Sequence, residues 1–302
     1  MGSEMSIRDR WYGGDVMRAR LRPVMTRIID RLPEEQQCAL WHWIDHRKHQ
    51  ARRRKIQNVG EGANAVTYSL KGFDEHRCIF VHIPKAAGIS VAMALFGNLA
   101  GGHASARDYR VVFGRDFWRY FKFTFVRNPY TRLVSAYEFL KNGGHPAWPR
   151  DQRFRDEVLS NYVDFADFVL RWLKPRPQRP APHFRPQHEF LEMGGRLVMD
   201  FVGRVERIDV DFATVCDRLG IQAQLGRLNP TNENHGTLGD YYSSDAVERR
   251  VRDFYARDFE LFGYPLRPPT QPFMRGEPAH SGGRPEEPVP GLSAPNFPPR
   301  FE

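Results

Sequence analysis

Short apolar runs alternate with turns and amphipathic stretches along most of this chain. Cys78 to Ile83 is mostly apolar with β-branched residues, the pattern of a buried strand, and Pro84 ends it because proline cannot donate to a sheet ladder. Val91, Ala92, Leu95 and Phe96 then recur at helical spacing. Tyr120 to Val126 is a second aromatic and β-branched run, after which Asn128 is a good N-cap and Pro129 fits a first helical position. Leu197 to Val205 predicts a third strand, and Asp211 to Leu219 an amphipathic helix stopped by Gly220. Helices are also predicted at Asp151 to Ser160 and Val163 to Leu173, with a last one over Asp245 to Phe259. Strands that alternate with helices in this way call for an α/β fold with a central parallel sheet flanked by helices.

Both ends differ from this middle. Met1 to about Gly13 is polar. Leu21, Val24, Met25, Ile28 and Leu32 then mark a helix ending at Pro33, and Cys38, Leu40, Trp41 and Ile44 the apolar side of a second. That second helix runs into Arg47, Lys48, Arg52, Arg53, Arg54 and Lys55, a helical hairpin free to cover the main domain, pair two subunits as a homodimer or touch an acidic surface. Asn58 to Ala63 reads as a linker, with the fold proper starting near Val66. Beyond Arg267 the chain is rich in proline and glycine and is expected to be disordered. The expected division is therefore 1–63, 64–266 and 267–302.

The two strand-to-helix turns carry the candidate chemistry. The first helical amides lack internal partners and sit at the positive end of the dipole, so they attract phosphate. In the first turn, Pro84, Lys85, Ala86, Ala87, Gly88, Ile89 and Ser90 supply those amides, a charge, a glycine and a hydroxyl. In the second, Arg127 stands at the strand's carboxyl end, while Arg132 and Ser135, three apart, share a helix face. Two such turns suit a nucleotide with phosphates at two positions. A kinase or GTPase is disfavoured, because Gly-x-x-x-x-Gly-Lys-Ser/Thr is absent and the second strand ends in Arg127 rather than a magnesium-holding aspartate.

Composition changes the picture little. In 302 residues the formal charge of +9 suits an anionic nucleotide, and its scatter, without zinc-finger spacing, argues against a nucleic-acid partner. Cys38, Cys78 and Cys216 are far apart and odd in number, which points to reduced core thiols rather than disulfides or zinc. With no apolar stretch of transmembrane length and no signal-peptide pattern, the expectation is a soluble, cytoplasmic protein.

Ile83-Pro84-Lys85-Ala86-Ala87-Gly88-Ile89-Ser90 resembles the 5′-phosphosulfate loop of sulfotransferases, and Phe125-Val126-Arg127-Asn128-Pro129 through Ser135-Ala136-Tyr137 resembles their 3′-phosphate element. The resemblance is to the carbohydrate branch with the chondroitin and HNK-1 enzymes, and more distantly to heparan sulfate 2-O-sulfotransferase. It continues through Gly102 to Arg107, His183 to Gln187, Phe201 to Glu206 and Asp258 to Tyr264, covering roughly residues 77 to 265. It implies a P-loop-NTPase-like sulfotransferase fold and 3′-phosphoadenosine 5′-phosphosulfate (PAPS) as donor, with no metal. It further implies a hydroxyl-bearing acceptor, a glycan or glycolipid, with Lys85 stabilising the departing phosphate and Arg127 and Ser135 holding the 3′-phosphate. Animal members of this branch are membrane-anchored in the Golgi, so the resemblance implies that this chain is a soluble, bacterial relative.

Transfer to an alcohol also needs a base, and histidine suits that near neutral pH. His103, in the glycine-bearing loop between the two turns, takes the place of the base in the heparan sulfate enzyme; His183 is its rival. The proline-rich stretch Lys174 to Pro182 leads into His183, Arg185 and Gln187, which are expected to bind acceptor; Leu228 to His235 is a second candidate loop over the nucleotide. Arg204 and Glu206 are expected to form an internal ion pair. The family loop commonly carries threonine where Ala86 and Ile89 stand, so two phosphate contacts are missing, each worth roughly 1.5–3 kcal/mol. That loss motivates the alternative, an inactive module binding a polyanionic glycan or protein.

Overall fold

The computed structural model describes residues 24–174, 181–226 and 237–270. The expectations for the first residues, for most of the proline-rich stretch, for Leu228 to His235 and for the C-terminal tail lie outside these. Residues 24–29 are helical, and the next predicted helix is two, Glu34–Ile44 and His46–Arg54, separated at Asp45. A β-hairpin follows, β1 (Ile56–Val59) antiparallel to β2 (Val66–Ser69). Asn58 to Ala63, expected as a linker, therefore belongs to this hairpin, because β1 and β2 pair across it.

The central sheet has three parallel strands, β3 (Cys78–Val81), β4 (Phe121–Val126) and, beyond the short hairpin β5 (Glu192–Met193) and β6 (Arg196–Leu197), β7 (Phe201–Arg204). Their order is β3-β4-β7, with Val81 opposite Thr124 and Val126 opposite Arg204, so all three carboxyl ends open on one edge. In parallel sheets that edge is where ligands bind. β4 lies in the middle, and Phe123 to Val126 are almost wholly buried. The Thr124 hydroxyl donates to the Val81 carbonyl at 2.7 Å, which satisfies a polar group inside the sheet.

The flanking helices obey the predicted local rules. Gly88–Phe96 follows β3 and Pro129–Lys141 follows β4, the latter capped by the Asn128 side chain accepting from the Tyr130 amide. Ser105 starts Ala106–Phe113 through a capping box with Asp108. Ile208–Leu219 ends at Gly220, whose φ of 66° is the left-handed conformation glycine takes without strain. The predicted last helix breaks at Tyr255 into Asp245–Phe254 and Ala256–Phe262.

The N-terminal helices dock on the main domain. Arg110 pairs with Glu35 (Nε to Oε1 2.8 Å), Arg107 donates to Gln37 at 2.8 Å, and His42 Nδ1 lies 2.8 Å from the Val111 carbonyl. Arg53 is drawn out of the basic run: it reaches Asp74 and Asp116 at 3.0 Å each and lies 4.7 Å over the Phe113 ring. All three cysteines are buried core thiols, none in a disulfide, and burial pushes Cys38 up to about 11 and Cys78 to about 12.

Candidate active site

The turn after β3 takes a backbone path that the sequence does not announce. Lys85 (φ 67°) and Ala87 (φ 58°) both sit in the left-handed region, where non-glycine residues cost energy and persist only when their surroundings hold them. Gly88, expected to supply the turn, is instead the first helical residue. It must be glycine because a Cβ there would stand 1.7 Å from His82 Cδ2. His82 therefore lies directly against the start of the helix whose amides face the turn. Ala86 is 1 % exposed and part of the apolar core, so its methyl group is packed rather than presented to a ligand. Ile89 is half-buried and Ser90 buried.

The two turns meet. Arg127 follows β4, donates through Nε to the Thr131 hydroxyl at 3.1 Å, and brings Nη1 to 3.4 Å from the Lys85 carbonyl. The Lys85 ammonium rests 4.1 Å above the Phe139 ring. Burial first, then the Arg127 charge, pulls its pKa down to about 8. Burial also lowers Arg127. Among the described residues neither cation has an ion pair, although Asp151, buried and with its own pKa raised by that burial, acts on Lys85 from nearby. Glu206 acts on Arg127 in the same way, so each half-buried cation feels a carboxylate without pairing to it, an arrangement that attracts a further anion.

His103 enters the same cluster. Its ring centroid is 4.6 Å from that of His82 and 5.7 Å from that of His183, and His183 is 5.3 Å from Phe139. The Nδ1 atoms of His82 and His103 are buried and without a hydrogen-bond partner among the described residues. Burial, opposed by a backbone hydrogen bond to His82 and deepened by the Arg150, Arg132 and Lys85 charges, holds His103 at about 4. Burial likewise puts His82 and His183 well below the usual imidazole range. Despite this row of imidazoles, no group of three His, Cys, Asp or Glu converges to hold a metal ion among the described residues.

Several predicted contacts turn out to be braces. Arg132, expected at the second phosphate, is 1 % exposed and its fork is spent on carbonyls, Pro84 at 3.0 Å, Arg185 at 2.9 Å and His183 at 3.3 Å. It ties the first turn to the His183 segment. Gln187 is wholly buried; its amide receives the Arg127 N–H at 2.9 Å and donates to the Arg127 carbonyl at 2.8 Å, leaving nothing to offer a substrate. Arg185 is engaged by Glu189 at 2.8 Å. The His183 ring lies beside His103, though the residue is only 5 % exposed, and Ser135 is buried on the helix one turn beyond Thr131. Arg204 and Glu206 are not paired. Arg204 donates to the Phe262 carbonyl, whereas Glu206 accepts from the Asn128 amide at 2.7 Å and from the Tyr264 hydroxyl at 2.9 Å. Fully buried Asp258 in turn accepts from the Gln187 and His188 amides at 2.7 and 2.9 Å. The quoted late motifs thus hold Arg127 in place from behind.

A model of the sulfotransferase family matches residues 70–265. The chain belongs to the sulfotransferase family. Among its curated relatives, carbohydrate sulfotransferase 14 of Danio rerio is 29% identical over 239 residues, 67% of this chain and 64% of the relative. Carbohydrate sulfotransferase 12 of Mus musculus is 29% identical over 175 residues (49% and 41%), and carbohydrate sulfotransferase 14 of Homo sapiens 26% over 241 (69% and 63%). The chain therefore spans less than two thirds of the length of these relatives. No solved structure matches it significantly. These findings overturn the expected cytoplasmic, bacterial setting: the relatives are animal carbohydrate sulfotransferases, the branch described above as membrane-anchored in the Golgi. The unpaired cysteines that suggested a reducing compartment are explained by burial in the core instead. Among the described residues no helix is long and apolar enough to cross a membrane.

Proposed function

We propose that this protein transfers a sulfuryl group from PAPS to a hydroxyl of a carbohydrate. One observation carries the reading: Lys85 and Arg127, from different strand ends, lie together as cations without ion pairs among the described residues, with His103 in the same cluster. These residues fit the donor, because a doubly phosphorylated nucleotide supplies the missing negative charge and the helix amides after Ala87 complete the cradle. When bound, the donor supplies an activated sulfuryl group on a phosphate leaving group. Lys85 and the turn amides stabilise charge building on that phosphate, and Arg127, whose backbone is held by Gln187 while Glu206 fixes the next amide, Asn128, sets the register of the far end, with Ser135 nearby.

His103 takes the acceptor's hydroxyl proton as the oxygen attacks sulfur and the sulfur–phosphate oxygen bond breaks. With its pKa at about 4, the ring is neutral and ready to accept at physiological pH. Of the charges that deepen this burial effect, Lys85 is the one the donor's phosphate neutralises, so donor binding relieves part of the depression and moves His103 toward the working range of a base. Nothing in this cluster favours an inactive binding module. The test is transfer of labelled sulfate from PAPS to a glycan panel, read by product mass. Lys85→Ala should abolish transfer; a variant as active as the wild type overturns the assignment.

A further inference from the structure

Two separate chains of hydrogen bonds run from the helix Ala256–Phe262 and the residues just past it to the backbone at Arg127. In the first, fully buried Asp258 accepts from three donors: the Gln187 amide at 2.7 Å, the His188 amide at 2.9 Å and His188 Nδ1 at 2.8 Å. Gln187 passes this on, since its side chain grips both the N–H and the carbonyl of Arg127. In the second, the Tyr264 hydroxyl donates to Glu206 at 2.9 Å, and Glu206 accepts from the Asn128 amide at 2.7 Å. The peptide group joining Arg127 to Asn128 is therefore held at both polar ends, its carbonyl by Gln187 and its N–H by Glu206. Burial lowers the His188 pKa, but the hydrogen bond and charge of Asp258, helped by Glu192 and Glu189, outweigh it and raise the value, so the Nδ1 contact gains charge assistance.

We propose that His188, Asp258 and Tyr264 are positioning residues that set the protein's selectivity for a 3′-phosphate on its nucleotide, acting through the Arg127–Asn128 peptide group. A guanidinium reads phosphate through directed hydrogen bonds, which weaken steeply once distance or angle drifts, so a loosened backbone is felt as lost selectivity. The 5′ side has an anchor of its own: the Lys85 turn is tied through the Pro84 carbonyl to Arg132, at 3.0 Å, and neither chain of bonds passes through that contact. The inference rests on the sulfotransferase reading, in which Arg127 meets the 3′-phosphate, and adds to it what fixes that guanidinium in place.

The test is calorimetry with two nucleotides, 3′-phosphoadenosine 5′-phosphate (PAP) and adenosine 5′-phosphate, which lacks the 3′-phosphate. Wild type should prefer PAP. His188→Ala and Tyr264→Phe should each weaken PAP about 10-fold and leave adenosine 5′-phosphate within about 2-fold of wild type. His188→Asn, whose amide nitrogen can stand in for Nδ1, should bring PAP back to within about 3-fold. In turnover, KM for PAPS should rise as PAP affinity falls, with kcat at saturating donor within about 2-fold of wild type. Should His188→Ala not fold, His188→Phe keeps a ring without the Nδ1 donor and carries the same comparison. Equal weakening of both nucleotides, no weakening of either, or an asparagine variant no better than alanine overturns the assignment. Wild type that binds the two nucleotides equally well overturns the placement of Arg127 at the 3′-phosphate itself, a different result from a variant that keeps its preference.

Discussion

Arg132 is the side chain whose removal should be felt most widely. Its guanidinium, 1 % exposed, donates to the Pro84, His183 and Arg185 carbonyls, so Arg132→Met leaves three buried acceptors without a partner. Each orphaned acceptor costs about 1–3 kcal/mol. Against this, the variant no longer buries a charge, a penalty visible in the lowered Arg132 pKa, whose first cause is burial. The balance should resemble that of breaking a buried charged arrangement, about 3–5 kcal/mol. For a domain of this size that is a fall in Tm of roughly 6–20 °C. Calorimetric unfolding measures the fall, and PAP binding to the folded variant measures the second effect: with the Pro84 and His183 segments untied, affinity should drop at least about 10-fold, or 1.4 kcal/mol. Arg132→Lys keeps the charge but not the fork, and should fall between the two proteins. A methionine variant within about 2 °C of wild type that binds PAP normally would refute the argument that Arg132 ties the site together.

Gly88→Ala should be tolerated far worse than a surface glycine substitution, because its Cβ at 1.7 Å displaces the His82 ring, which packs edge-on against His103. We expect a loss of about 1–3 kcal/mol and a fall in kcat; His82→Ala in the same chain should restore Tm but not turnover, and a single variant of wild-type stability and rate would disprove the contact. The histidine row makes stability acid-sensitive. A folded-state pKa below the unfolded value means that the unfolded chain binds more protons, so His103 contributes stability that is full above 6.5 and lost as pH falls toward about 4. Each of His82, His103 and His183 should add up to about 1.4 kcal/mol per pH unit there, and His103→Asn should flatten the Tm profile between pH 6.5 and 4.5; identical slopes would rule this out.

The elements were legible because their signals are local. An apolar β-branched run, Ser105 with Asp108, Asn128 before Pro129 and Gly220 at a helix end each act on neighbours a few residues away, so adjacent letters suffice. The misread elements failed at connections: the β1–β2 hairpin looked like a linker because its strands are short and β1 is mostly exposed, and Asp45 and Tyr255 break helices within patterns that read as continuous. Lys85 and Arg127 could be singled out because each stands just past a strand's carboxyl end, and His103 because it lies in a glycine-bearing loop between those two turns.

What the residues around them do was settled only by the fold. Gly88 looked like a turn residue, but its real constraint is the imidazole of His82, six positions back on β3's end. Arg132, Gln187 and Glu206 have the chemistry of ligand contacts and are used up by backbone groups tens of residues distant. A polar side chain's role depends on whether its hydrogen bonds are already taken, and that is a property of three-dimensional neighbours. Periodicity and caps, set by covalent geometry over one or two turns, determined the strands and helices by themselves; the grouping of Lys85, Arg127 and His103 required parallel strands to bring distant loops to a common edge.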